Sequence, residues 1–217
     1  MTPEPHPPGD SADDLPLLRR AQAGDYAAFE ALVGRLQARV YGVAYRIVGQ
    51  SQDAEDVVQQ TFLSVIEHLE TFRGESAVAT WVLRIATNFA LKVLRKRRGL
   101  PTVSLDAEDT LAGVPHPQYV ARWSEPPEAL LERAELREQL DRAVAELDDR
   151  HRVVFVLRDI EGLSTRDTAE AVGISEANVK IRLLRARLQL RERLTREFGD
   201  DTTRVFPDHA HTSEGES

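Results

Sequence analysis

Apolar residues recur at helical spacing through most of the first hundred residues of this 217-residue chain. One stripe follows Asp25, a residue type that favours the N-cap of a helix. Further stripes run along residues 53–70 and from about Ala77 to Arg98. These patterns predict a helical domain over residues 15–98. Eight of the chain's thirteen aromatic residues lie in this block, so we expect it to form its own core.

The helical period returns in the second half of the chain after an interruption. Residues 99–127 contain five prolines and no sustained period, which predicts a linker. Pro126-Pro127 is expected to open a helix, because proline suits a first helical turn. Three further helices are predicted near 148–161, 164–172 and 176–198. Residues 128–199 therefore form a second predicted helical domain.

The predicted fold class is all-α, with two small helical domains joined by a flexible acidic linker. Residues 1–14 and 200–217 are rich in polar, proline or acidic residues, which predicts disordered ends. No alternating strand pattern appears. No apolar run approaches the length of a membrane span, and the N-terminus does not resemble a secretory signal. We therefore expect a cytoplasmic protein without membrane insertion.

The net charge of −8 is unevenly distributed along the chain. Residues 1–100 hold 12 basic and 12 acidic side chains, and residues 131–199 hold 14 of each. The acidic excess therefore lies between the predicted domains and in the tail. A neutral domain can still carry a basic face, so this composition does not exclude nucleic-acid binding.

Residues 163–187 carry the most specific pattern, LSTRDTAEAVGISEANVKIRLLRAR. Ser164 and Asp167 predict a capping box, Gly173 permits a tight turn and Ser175 caps the next helix. This arrangement predicts a helix-turn-helix, whose second helix enters the DNA major groove. The alternative is a solvated basic face on a structural helix. The residues predicted on the open face are Asn178, Ile181, Arg182 and Arg185, flanked by Arg166, Lys180 and Arg187.

Two faces of the first domain are also candidates for binding. The first is a stripe of cations and one amide, formed by Arg84, Asn88, Lys92, Arg95 and Arg98. Such a stripe suits binding to a polyanion, but cations are also favoured near any helix C-terminus. An acidic and amide-rich face on the preceding helix comprises Asp56, Gln59, Gln60 and Leu63, extended by Asp53 and Glu55. This second face suits a basic protein partner. Alternatively, its acidic residues only interact favourably with the positive end of the helix dipole. The residues alone leave both alternatives open.

Enzymatic chemistry is not indicated by the sequence. There is no cysteine, no glycine-rich phosphate loop and no arrangement typical of a nucleophilic triad. His209 and His211 are close in sequence but lie in the predicted disordered tail. We expect no catalytic residue, no metal site and no cofactor.

The three patterns, in this order, closely resemble the extracytoplasmic-function (ECF) branch of the sigma-70 family. Family region 2 is similar to YRIVGQSQDAEDVVQQTFLSVIEHLETFRGES followed by TWVLRIATNFALKVLRKRR. Family region 4 is similar to LDDRHRVVFVLRDIEGLSTRDTAEAVGISEANVKIRLLRARLQL. The resemblance covers roughly residues 15–98 and 128–195. It implies a sigma factor that binds core RNA polymerase, directs it to −10/−35 promoters and nucleates promoter melting.

The resemblance also implies roles for individual residues. Those expected to dock on the clamp helices of the polymerase β′ subunit are Asp53, Asp56, Gln59 and Gln60. Those expected at the −10 element are Phe72, Arg73, Arg84, Asn88, Lys92 and Arg95, and the loop 72–77 captures a flipped base. Those expected at the −35 element are Arg166, Asn178, Lys180, Ile181, Arg182 and Arg185.

The implied partners are core RNA polymerase, through its β and β′ subunits, promoter DNA and an anti-sigma factor. The rival hypothesis is a free-standing helix-turn-helix regulator that binds its operator as a dimer. Such a regulator would need a ligand pocket or a dimer face in the first domain. The acid–glutamine face beside a basic helix favours the sigma factor instead.

Overall fold

A computed structural model describes residues 14–99 and 134–198 of the chain, and this part is built from helices and their connections without a strand. Residues 1–13 and 200–217 of the predicted disordered ends, Pro126-Pro127 and all of the predicted linker after Gly99 lie outside the described residues. The prediction of disorder is wrong at Asp14, which begins the first helix, is buried and pairs with Arg35 at 3.0 Å. The described helices are α1 (Asp14–Gln22), α2 (Tyr26–Val48), α3 (Ser51–Glu67), α4 (Val78–Arg98), α5 (Ala134–Ala145), α6 (Asp149–Phe155), α7 (Thr165–Val172) and α8 (Glu176–Phe198).

Helices α1–α4 pack together as the first helical unit. The Asp25 side chain accepts a hydrogen bond from the Ala28 amide at 3.1 Å, so it caps α2 as the sequence predicts. At the other end, Gly49 ends α2 with a left-handed φ of 74°, which a β-carbon would disfavour. Buried apolar residues of α2, α3 and α4 fill the space between these helices.

Helices α5–α8 form the second unit, which contains the predicted helix-turn-helix. Burial would raise the pKa of Asp148, but hydrogen bonds and charge from Arg150 lower it below its ordinary value. The Asp148 side chain thus caps α6 as a carboxylate. After α6 the chain widens into one π-helical turn over Val156–Ile160, where the Glu161 amide donates to the Val156 carbonyl at 2.9 Å.

The two units pack directly against each other, which the sequence analysis does not predict. One apolar cluster runs through both, from Leu18 and Leu94 in the first unit to Leu157 and Val172 in the second. Helix α4 lies against α7, and α2 lies against α5 and α6. The sequence predicts two independent domains on a tether, whereas in the structure the two domains pack against each other in a closed arrangement.

Polar contacts also cross this boundary. Arg39 Nε lies 2.7 Å from Glu161 Oε2, and Arg152 Nη2 donates to the Ile47 carbonyl at 2.9 Å. Arg84 of α4 pairs with Glu170 of α7. The Ile47 carbonyl belongs to the last turn of α2, where carbonyls have no partner within the helix, so Arg152 completes that helix end.

We expect Leu157→Ala to lower the free energy of unfolding by about 2–5 kcal/mol, because Leu157 is completely buried and its truncation leaves a cavity. Leu184→Ala is the matched control, since Leu184 is 43% exposed and its loss should change stability by no more than about 0.5 kcal/mol. Chemical denaturation followed by circular dichroism measures both. Equal effects of the two substitutions would contradict the packing described here.

Candidate partner and nucleic-acid surfaces

The acidic and amide-rich face of α3 is open to solvent. Asp56, Gln59 and Gln60 are exposed and lie on successive turns of the helix. Two large apolar side chains extend the same part of α3: Leu63 is 49% exposed and Ile66 is 43% exposed. Exposed apolar groups among polar ones are typical of a protein interaction surface. Ile66 is absent from the sequence-based prediction, although its helical spacing from Gln59 and Leu63 could have indicated it.

Asp53 differs from the other residues predicted on this face. It is partly buried and pairs with Arg97, near the end of α4. The same arginine donates to the Val48 carbonyl at 2.8 Å, so it ties the end of α2 to α3 and α4. Asp53 is thus engaged in holding helices together, whereas Asp56 is presented outward.

A shallow pocket of about 300 Å³ lies between the turn after α3 and the start of α4. Phe72 is buried at its base, and its ring centroid lies 5.1 Å from that of Trp81 with the planes tilted by 52°. Trp81 is only partly buried and is the aromatic side chain that the sequence analysis missed. The pocket is lined by Thr71, Phe72, Arg73, Glu75, Ser76, Trp81 and Arg84. An aromatic wall beside cations can stack a base and hold a phosphate.

The basic stripe on α4 continues from this pocket along the helix. Asn88 and Lys92 are exposed, and Arg95 is partly buried. The Lys92 ammonium lies 4.9 Å from the centre of the Phe89 ring, which steadies the long side chain by a cation–π contact. Arg84 is partly buried because it faces Glu170 of α7. The stripe is therefore open along α4 and covered at its pocket end.

The helix-turn-helix forms with the predicted caps. Ser164 Oγ accepts a hydrogen bond from the Asp167 amide at 3.0 Å, and Ser175 Oγ accepts one from the Asn178 amide at 3.2 Å. Gly173 has the left-handed φ of 78° that the turn requires. Val154, Ala169, Val179 and Leu183 form the local core among α6, α7 and α8.

The predicted open face of α8 is wrong for two of its members. Asn178 is 3% exposed and Arg182 is completely buried. At 3.6 residues per turn, Arg182 lies only about 60° around the helix from the core residue Val179, at the edge of the core stripe. Ile181 and Arg185 are partly buried, and Lys180 is exposed. The outward face of α8 is instead formed by Ala177, Lys180, Leu184, Arg187 and Arg191.

Two cations of the helix-turn-helix region, Arg187 on this face and Arg166 on α7, are held in ion pairs. Arg187 makes two hydrogen bonds to the Asp159 carboxylate, at 2.8 and 2.7 Å, and this contact raises the pKa of Arg187. Arg166 on α7 pairs with Glu170 at 3.1 Å while most of its side chain stays exposed. The guanidinium of Arg187 is thus held in place by Asp159, a residue of the same helical unit.

Neither a metal cluster nor a membrane-spanning helix is found among residues 14–99 and 134–198. These residues bring together no group of three or more His, Asp or Glu side chains that could hold a metal ion. None of the helices in the same ranges combines the length and the apolar character that crossing a membrane requires. His209 and His211 lie outside the described residues.

Two family models match the chain in the order of its two helical units. Residues 32–99 match Sigma-70 region 2, and residues 137–190 match Sigma-70, region 4. The first match contains the α3 face, the pocket and the α4 stripe, and the second contains the helix-turn-helix. Sigma-70 factors are non-enzymatic transcription initiation factors.

Individual relatives extend over most of the chain. It is 35% identical to the RNA polymerase sigma-H factor of Pseudomonas aeruginosa, over 80% of this chain and 90% of that protein. It is 32% identical to the ECF RNA polymerase sigma factor SigW of Bacillus subtilis, over 82% and 94% respectively. Among solved structures, CnrH in complex with the cytosolic domain of CnrY is similar with a TM-score of 0.57 and 25% identity, covering 86% of this chain and 99% of CnrH.

Phe72→Ala should lower the free energy of unfolding by about 3–5 kcal/mol, because Phe72 is 5% exposed and packs on Trp81. Arg73→Ala, at the exposed neighbouring position, should leave stability within about 0.5 kcal/mol of the wild type. Denaturation followed by Trp fluorescence measures the effect. A stable Phe72→Ala protein would mean that Phe72 does not support the pocket as described.

Proposed function

The chain belongs to the ECF branch of the sigma-70 family and is a sigma factor that directs RNA polymerase to promoters, and we propose that it does so through three separate surfaces. These are the outer face of α3, the pocket with the α4 stripe, and the helix-turn-helix. The observation that carries this proposal is the exposure of a mixed acidic, amide and apolar face on α3 beside a basic helix in one unit.

The α3 face is the proposed docking site for the clamp helices of the polymerase β′ subunit. Asp56, Gln59 and Gln60 would meet basic and polar groups, while Leu63 and Ile66 would bury apolar area. Such a combination gives both charge complementarity and a hydrophobic centre. Asp53 contributes by fixing the end of α3 through Arg97.

The pocket and the α4 stripe are the proposed −10 surface. Trp81 and Phe72 would support an unstacked base of the non-template strand, and Arg73 and Arg84 would hold its phosphates. Asn88 and Lys92 would contact the strand farther along α4, with Arg95 next to them. Binding energy gained only by an unstacked base lets a protein hold DNA open without ATP.

The helix-turn-helix is the proposed −35 surface. Lys180, Ile181 and Arg185 are the members of the predicted set on α8 that reach the surface, and Arg166 is exposed on α7. We propose that Arg185 reads base edges and that Lys180 and Arg166 contact phosphates. Asn178 and Arg182, being buried, would support α8 from behind rather than reach DNA.

The remaining partners and properties follow from membership of the family. We propose that the chain binds the β as well as the β′ subunit, carries out no covalent chemistry and works in the cytoplasm. An anti-sigma factor is a further proposed partner, in line with the solved complex of CnrH with a second protein. A free-standing regulator is not favoured, because region 2 precedes region 4 in the same chain.

Asp56→Arg should abolish binding to core polymerase with no loss of stability, because Asp56 is exposed and charge reversal opposes a basic partner. Glu30→Arg is the control, since Glu30 is also exposed but lies on α2. Fluorescence anisotropy with labelled sigma factor and core enzyme measures affinity, and thermal melting checks the fold. Wild-type affinity of a folded Asp56→Arg variant would remove α3 from the docking surface.

Arg185→Ala and Asn88→Ala should impair different steps of initiation. Arg185→Ala loses about 1–3 kcal/mol of −35 discrimination in the closed complex, because it removes a donor to base edges. Asn88→Ala should spare closed-complex affinity and slow opening, because its partner base is available only after unstacking.

A promoter already mismatched across the −10 element separates these two steps. The mismatch removes part of the unpairing cost, so it should partly rescue Asn88→Ala and compensate little for Arg185→Ala. Permanganate reactivity of thymines follows the opening directly. If Asn88→Ala opens a fully paired promoter as readily as the wild type, Asn88 has no role in melting.

A further inference from the structure

A cavity of about 640 Å³ lies where the end of α2 meets α4, α5 and α6. Binding sites for small molecules have volumes of roughly 300–1,000 Å³, so this cavity is large enough to hold one. Buried Val48, Leu94 and Val144 form its apolar part. The described residues that line it do not belong to the three surfaces proposed for polymerase and promoter DNA. The cavity is therefore a candidate site for a further ligand, beyond the proposed function.

The polar lining of this cavity is rich in arginine. Positive charge is in excess there, because the described lining residues comprise four arginines and two carboxylates: Arg46, Arg97, Arg142 and Arg152, with Asp141 and Asp149. A guanidinium group matches the geometry of a phosphate group and can bind it through two parallel hydrogen bonds. The lining thus favours an anionic ligand that carries phosphate.

Two of these arginines already have well-formed contacts within the protein. Arg152 pairs with Asp149 at 2.6 Å, and Arg97 donates to the Val48 carbonyl at 2.8 Å. Arg46 differs, because its Nε lies 3.7 Å from Asp141 Oδ1, which is longer than a hydrogen bond. The same Nε is buried and has no hydrogen-bond partner among the described residues. A buried N–H of a charged group is costly to leave without an acceptor, so Arg46 favours an acceptor supplied by a ligand.

Gly42 provides the space in which the Arg46 guanidinium lies. A β-carbon at position 42 would be 3.1 Å from Arg46 Nη1, which is closer than an ordinary van der Waals contact. The guanidinium therefore lies against the surface of α2 one turn before its own residue. Both residues line the cavity, so this position keeps the cation at the cavity wall.

An aromatic side chain, Tyr45, lines the same cavity. Its side chain is 47% exposed, and its ring is stacked on that of Tyr41 with centroids 6.1 Å apart and planes 14° apart. The Tyr41 hydroxyl in turn shares a 3.1 Å hydrogen bond with the Ser51 hydroxyl. Tyr45 is thus supported by a second ring that is itself held in place. An exposed aromatic ring of this kind can stack a nucleobase.

We propose that this cavity binds a nucleoside phosphate, with its base against Tyr45 and its phosphate held by Arg46 and Arg142. The site combines both helical units, since Tyr45 and Arg46 belong to α2 and Arg142 belongs to α5. The base and the phosphate depend on different side chains. Their contributions to affinity can therefore be separated by substitution.

Isothermal titration calorimetry of the free full-length chain with ADP tests this proposal. ADP should bind with one site per chain. Adenosine and inorganic pyrophosphate should each bind about tenfold more weakly or worse, because adenosine lacks the phosphate contacts and pyrophosphate lacks the stacked base.

Substitutions distinguish the two ends of the site. Arg46→Gln should weaken ADP binding about tenfold, because it removes a charge-assisted contact with phosphate, and Arg46→Lys should restore part of the affinity. Tyr45→Ala should weaken ADP binding about tenfold and leave pyrophosphate binding unchanged, whereas Tyr45→Phe should bind ADP as the wild type does. The control Arg19→Gln removes an exposed arginine of α1 and should change neither affinity. Thermal melting verifies that each variant is folded.

The absence of cysteine from the chain allows the ligand to be located. Ala145→Cys introduces a single thiol at the cavity wall, and Ala31→Cys introduces one at an exposed position of α2 that does not line the cavity. ADP should slow the alkylation of the first thiol by iodoacetamide. It should leave the alkylation rate of the second thiol unchanged.

The proposal is overturned if ADP at millimolar concentration gives no heat of binding. It is overturned equally if folded Arg46→Gln and Tyr45→Ala variants keep wild-type affinity for ADP. Binding that leaves the thiol of Ala145→Cys unprotected would place the nucleotide elsewhere, such as in the −10 pocket, and would also overturn it. All of these measurements use the free chain, so their outcome does not depend on whether the three surfaces of the proposed function are correct.

Discussion

The buried carboxylate of Glu161 constrains how the two helical units are arranged, because its cation lies on the other unit. It directly follows the π-helical turn, is 7% exposed, and pairs with Arg39 from the other unit. Removing a charge from water is costly, so this carboxylate keeps its place only while a cation and a hydrogen bond accompany it. Arg152 is paired with Asp149 of its own unit at 2.6 Å and also donates across the boundary to the end of α2. Closure of the units thus brings the Glu161 carboxylate to its cation and completes the end of α2.

This closure covers one end of the proposed −10 surface, where Arg84 faces α7, and leaves the proposed polymerase surface open. The outer face of α3 keeps Asp56, Gln59 and Gln60 exposed, whereas α4 is partly covered by α7.

The sequence predicts the helices well because their signals are local. Asp25, Ser164, Gly173 and Ser175 all act at the helix ends where they were expected, since a cap needs only its own few neighbours. The predicted recognition face of α8 is wrong at Arg182 and Asn178. Arginine is rarely buried, so the charge of Arg182 predicts an exposed side chain, although its angular position near Val179 places it at the edge of the core. The closed arrangement rests on contacts such as Arg39–Glu161, 122 residues apart in sequence, and no periodic pattern reports those. The role of each site residue stays a prediction.

The most direct test of the central claim is run-off transcription with purified core RNA polymerase, with and without this chain, on a library of promoter fragments. The account predicts discrete transcripts that require the chain and start downstream of shared −10 and −35 elements. Enrichment of a common sequence at both elements would tie both helical units to the same initiation event. Transcription that is unchanged by the chain, despite a folded protein and active core enzyme, would contradict the account.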